Sequence, residues 1–159
     1  MATQASAVNT DFPLILAGEA IIKDNETILT DGSRTVPLYQ GTIMSQVAST
    51  QKWVPWLNAN LGGTTGTQYP WGILLSDTIT AATYAAGDVT GVQILVGGAG
   101  VQLDASLLVY DRGTTGVGTP GALTNIPTVP TNLALTAESI LNMKGIFPTT
   151  TVALDAAEN

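Results

Sequence analysis

A chain of 159 residues with 12 acidic and 5 basic side chains has a net charge of −7, and only 11% of it is charged, against roughly 25% in an ordinary soluble domain. Without Cys or His it has no disulfide framework, thiolate metal site or thiol nucleophile, and it lacks the commonest general base and transition-metal ligand. Five scattered cations, Lys23, Arg34, Lys52, Arg112 and Lys144, do not make the basic footprint that nucleic acid requires, and no run reaches the roughly 20 apolar residues of a membrane helix.

Residues 1–18 read as an extended arm with Asp11 as its single charge. Pro13 biases Phe12 toward extended geometry, and the run Leu14-Ile15-Leu16 is costly to leave in water. Its first ten residues also fit an untethered terminus. The amino terminus has no positively charged start, so no secretory leader is expected.

A single β-rich domain is expected over 19–159. Residues 19–38 read as a small meander: Ala20-Ile21-Ile22, a polar turn at Lys23-Asp24-Asn25-Glu26, and a second strand at Thr27–Thr30. Asp31-Gly32 then makes a hairpin turn, and Arg34-Thr35-Val36 returns to a sheet edge marked by Pro37. Residues 41–112 hold the core, with short apolar runs at Thr42–Met44, Trp53–Trp56, Pro70–Leu75 and Leu107–Tyr110. Ala81–Asp88 suggests a short Ala-rich turn or one turn of helix. Val89–Val96 is the clearest strand, with Gly97-Gly98-Ala99-Gly100 as a tight turn and Val101-Gln102-Leu103 as its partner.

Residues 113–132 have no hydrophobic period and contain Pro120, Pro127 and Pro130, so they read as a long loop. A short helix is predicted over 136–146, capped by Thr136. Glu138 lies in its first turn, Ile140, Leu141 and Met143 form its apolar face, Lys144 is in its last turn, and Gly145 follows. Pro148 stops it, and residues 149–154 form a β-branched run able to add a strand within the 147–159 tail. Spaced short strands between Gly, Pro and Thr loops point to a mainly β, compact barrel- or sandwich-like domain with one short C-terminal helix.

Local motifs add little chemistry. Gly97–Gly100 precedes a strand where a phosphate-binding loop needs a helix. Asp24, Glu26 and Asp31 lack calcium-loop spacing and read as solvated turn residues. Asn25-Glu26-Thr27 is a formal glycosylation acceptor whose use requires secretion. Ser and Thr are plentiful, 24 of them Thr, yet no nucleophile elbow appears. No catalytic, cofactor or metal residue is assigned, and an enzymatic role is not expected. Trp53, Pro55, Trp56 and Trp71 read either as core or as a subunit interface, where Trp is enriched.

In order and spacing, Gln51-Lys52-Trp53-Val54-Pro55-Trp56, Gly62-Gly63-Thr64-Thr65-Gly66, Trp71-Gly72-Ile73-Leu74 with Asp77, Val92–Val96 with Gly97-Gly98, and Glu138–Ile146 resemble the phage head decoration family, the lambda protein D-like capsid cement proteins. The resemblance covers roughly 80 residues. It implies a β-rich, usually trimeric protein on the outer surface of the virion, made in the host cytoplasm. Its partners would be the major capsid protein, at three-fold and quasi-three-fold sites, and itself. The residues 19–38 and 113–132 look like additions to smaller family members.

The resemblance implies that the arm, with Phe12, Pro13, Leu14, Ile15 and Leu16, adds a strand to the capsid sheet. Main-chain hydrogen bonds then supply affinity, and trimerisation offsets the cost of ordering the arm. No cofactor, nucleic acid or membrane is expected as a partner. The competing readings are a tail- or fibre-associated module that recognises a carbohydrate or host surface, and a small hydrolase with an unrecognised site.

Overall fold

The computed structural model describes residues 14–56, 69–109 and 137–149. The fold is mainly β. Six strands form one mixed sheet: β1 Ile15–Ile28, β2 Ile43–Gln46, β3 Trp53–Pro55, β4 Gly72–Leu74, β5 Val89–Asp104 and β6 Ile146–Thr149. Two short helices accompany them, α1 Ala81–Ala86 and α2 Ala137–Met143. The strand order is β1-β3-β2-β4-β5-β6, and β1 also pairs with β5.

The antiparallel β1–β5 ribbon dominates, running from Ile15 opposite Leu103 to Ile28 opposite Val89. It overturns two expected turns. Lys23–Glu26 does not reverse the chain: between the pairs Lys23–Ile94 and Glu26–Val92, β1 spends one residue more than β5. Asn25 absorbs it at φ 59°, a conformation Asn tolerates better than most residues. Gly97–Gly100 is likewise not a tight turn. Between Ala17–Gln102 and Glu19–Ala99 the additional residue lies in β5, and Gly100 takes φ 63°. Both are β-bulges, which use the same left-handed residues as turns while the strand continues. Gly98 lies so near the Glu19 carbonyl that a Cβ there would collide with it.

The 19–38 meander is corrected for a further reason. Asp31 does nucleate a turn, accepting from the Ser33 N–H at 3.1 Å and the Ser33 hydroxyl at 2.6 Å. No return strand follows over Arg34–Val36. Arg34 is buried and donates to the Val36 carbonyl at 2.8 Å and the Pro37 carbonyl at 3.2 Å. Only Leu38 rejoins regular structure, through a bridge to Ile79.

Of the turn or single helical turn expected over Ala81–Asp88, the structure has the helix, α1 over Ala81–Ala86. Thr80 caps it by accepting the Thr83 N–H at 3.2 Å, and Tyr84 is its buried face. In α2, Ile140 and Leu141 are buried, but Met143 is 77% exposed and leaves the expected apolar face. The helix ends at Met143, where Gly145 at φ 75° turns the chain into β6. That strand starts earlier than expected and includes Pro148. It lies at the end of the strand order, a position where the missing proline N–H is tolerated.

Two apolar clusters form the core. Leu14, Ile15, Trp56, Ile73, Leu95, Val101, Leu103, Leu141 and Ile146 belong to one. Ile28, Leu38, Met44, Trp53, Leu74, Tyr84, Val92 and Ile94 belong to the other.

An exposed ion pair ties the residue before β3 to the turn before β5, and a backbone hydrogen bond adds the bend after β1. Lys52 Nζ lies 2.5 Å from Asp88 Oδ2, and Asp88 Oδ1 accepts the Thr30 N–H at 2.9 Å. The Lys52 hydrogen bond and then the Thr30 N–H hold the Asp88 carboxyl below the ordinary aspartate value. A depressed folded-state pKa contributes stability above the unfolded value of about 4, lost as pH falls through the folded one. Asp88→Asn is therefore expected to be less stable than wild type in urea at pH 7, with the gap closing as pH falls below about 4. A gap unchanged down to pH 2 would dismiss the ion pair as its cause.

Candidate interaction surface

The two proposed groups of contact residues separate on folding. Leu14 and Ile15 belong to the domain's own core rather than to a free arm. Both are buried, the Leu14 carbonyl accepts the Asp104 N–H at 2.9 Å, and Ile15 stands opposite Leu103. Leu16 follows, half-buried, within β1. The boundary of any arm thus moves from residue 18 to before Leu14, because the apolar run meets its pairing partner in β5 of the same chain. Phe12 and Pro13 lie outside the described residues, as does the 113–132 segment.

The tryptophans divide as well. Trp53 and Trp56 are 1% and 0% exposed, each in a different core cluster, and Pro55 between them is buried. The Trp53 indole Nε1 donates to Glu26 Oε2 at 2.5 Å, so the buried ring has its polar edge satisfied. These three residues are core. Trp71 is 40% exposed and stands on the surface.

Trp71 precedes β4 and is held there by its own N–H, which donates to the Met44 carbonyl at 2.8 Å. The Lys144 ammonium lies 4.5 Å from the centre of its ring, within cation–π range. Tyr69 meets the same ring edge-on, with centroids 6.1 Å apart and planes at 75°. Lys144 is fixed by the turn after α2: its N–H donates to the Leu141 carbonyl at 2.9 Å, and its carbonyl accepts the Gly98 N–H at 3.1 Å. Partial burial, and then the charge of Lys23, push the Lys144 ammonium below the ordinary lysine value. Met143, next in the chain, is the most exposed of the large apolar side chains described.

This patch joins residues far apart in sequence, and the expected contact list contained only Trp71 from it. One signal was available: Lys144 is one of just five cations.

The carboxylates weighed as calcium ligands do separate jobs. Asp24 accepts from Gln93 Nε2 at 2.7 Å, Glu26 from Trp53, and Asp31 from its own turn. A cleft of about 260 Å³ adjoins Leu14, between Tyr39, Gln40, Thr78, Leu107 and Val109. Its walls offer a phenol, an amide and a hydroxyl, and the Gln40 amide donates to the Leu75 carbonyl at 2.6 Å.

Comparison with protein-family models, with curated proteins and with solved structures finds no match to this chain.

Proposed function

We propose that the chain is a structural virion protein of the lambda protein D-like head-decoration type. In this reading it binds the major capsid protein lattice of the expanded head at three-fold and quasi-three-fold sites and stabilises it by mass action, since it binds the expanded lattice and not its precursor. The observation that carries the proposal is the chain's division of apolar material in a surface poor in charge. The β-rich domain holds its own core from Leu14 onward, thirteen residues with one charge precede it, and Trp71 and Met143 remain exposed. Such a surface gives up little ion hydration when it is covered by a partner.

The N-terminal segment supplies the attachment. A strand added to an exposed edge of the capsid sheet binds through main-chain hydrogen bonds, and three arms on one trimer raise the effective concentration of the second and third contacts.

The test is decoration of expanded heads that lack the protein, using the full chain and a chain without residues 2–13. The full chain is expected to saturate three-fold positions in cryo-EM maps. The shortened chain is expected to bind at least about tenfold more weakly. Equal binding by the two would remove the arm from the mechanism. Density confined to tail tips or fibres would replace the cement reading with a module that recognises a host surface.

A further inference from the structure

We propose that Lys144, Trp71, Tyr69 and Met143 form one side of a head-to-tail contact between copies of this chain, receiving carboxylates of the next copy. The inference rests on the self-assembling reading above and assigns it a surface and a symmetry.

Among the described cations, Lys52 is paired with Asp88, and Arg34 is spent on the Val36 and Pro37 carbonyls and lies 5.3 Å from the Tyr84 ring. Lys23 and Lys144 have no carboxylate partner among the described residues, and they are near enough for the charge of one to disfavour that of the other. Lys144 is partly desolvated against an indole as well. A free subunit therefore holds a half-buried ammonium against an indole, disfavoured by burial and then by the charge of Lys23. A carboxylate from outside would relieve both costs.

A second copy brings that chemistry. Its net charge is −7, and Asp77, after β4, is an exposed acid with no cation partner among the described residues. The flanking groups suit a protein contact. Trp71 and Met143 present exposed apolar surface, residue types enriched at interfaces, and Lys144 at the centre supplies a charge that a neighbour can pair.

The charge pattern also restricts the symmetry. The four residues of the patch include one cation and no carboxylate, so its own charge is not complementary to itself. It needs a different surface of the neighbour, which makes the contact heterologous and its closed form a ring of more than two copies.

The experiment is sedimentation equilibrium with native mass spectrometry on the full chain, at low salt and at 0.5 M salt, for wild type, Lys144→Glu, Lys144→Arg and Met143→Glu. Met143 is so exposed that its replacement leaves the core untouched, and circular dichroism melts confirm folding of each variant. Wild type is expected to form a closed ring of at least three copies that weakens in salt. Lys144→Glu and Met143→Glu are expected to raise the dissociation constant by about tenfold or more, while Lys144→Arg stays within about threefold of wild type.

A ring indifferent to both disruptive variants would overturn the inference and leave self-assembly standing. A wild-type monomer or two-fold dimer would overturn both the inference and the trimer. If a monomer lost binding to expanded heads on Lys144→Glu, the patch would belong to the capsid protein, and the assignment to a second copy would be wrong.

Discussion

Trp53→Ala is expected to destabilise the protein by about 3–5 kcal/mol, read as a lower urea midpoint at unchanged slope. Trp53 is 1% exposed and fills the cluster formed with Ile28, Met44, Leu74 and Ile94. It also sits where strands meet: it stands opposite Ile28 of β1 and Gln46 of β2, and its carbonyl accepts the Leu29 N–H at 2.8 Å. Removing the ring leaves a cavity at the junction that joins β1 to β3, and a backbone pinned on both sides cannot collapse into it. Set against a typical total stability of about 5–15 kcal/mol, such a loss leaves a marginal fold. Trp53→Phe is the intermediate case. It keeps a six-membered ring but loses part of the indole volume together with the donor to Glu26 Oε2, so its cost is expected at about 1–3 kcal/mol, below that of Trp53→Ala. A Trp53→Ala midpoint within error of wild type would show that the ring is not part of the core.

The same tryptophan shows how much of the fold was legible in the sequence. The strand at 72–74 was readable as an apolar run, all three of its residues being buried, and the one from Val89 through its β-branched and apolar residues, of which Val92, Ile94 and Leu95 are buried. The core alternative for Trp53 and Trp56 followed from the size of their side chains. What local reading misjudged was continuity. Asn25 and Gly100 take left-handed conformations in the structure, and their neighbourhoods were read as turns because the local signal is identical for a turn and for a bulge. Whether the chain reverses or continues depends on the opposite strand, the pairing running between residues 15–28 and 89–103. The return strand over Arg34–Val36 failed similarly, since the sequence does not say that the Arg34 side chain turns onto the carbonyls of Val36 and Pro37. Of the candidate surface, Trp71 was legible as a large aromatic beside proline. Its pairing with Lys144 was not, because the sheet brings the segment before β4 and the end of α2 together only in three dimensions.

Leu14→Ala is expected to cost about 2–5 kcal/mol, and a chain begun at residue 19 is expected not to reach the native fold. Leu14 is 1% exposed within the cluster of Trp56, Leu103 and Leu108, and its carbonyl takes the Asp104 N–H at 2.9 Å. Ile15 adds the pair with Leu103. Starting the chain at residue 19 removes both side chains, the end of the β1–β5 ribbon and Gly18, whose approach to Gly100 admits no Cβ. A chain begun at Leu14 keeps all of these described contacts and is expected to melt with the full-length protein. The distinction decides how arm experiments are read. A deletion reaching residue 18 is expected to abolish any binding to heads by unfolding the domain, whether or not an arm is involved. A deletion ending at 13 isolates attachment, provided that its thermal midpoint equals that of the full chain. If the chain begun at residue 19 folded and melted with wild type, β1 would be dispensable before Glu19 and the placement of Leu14 and Ile15 in the core would be wrong.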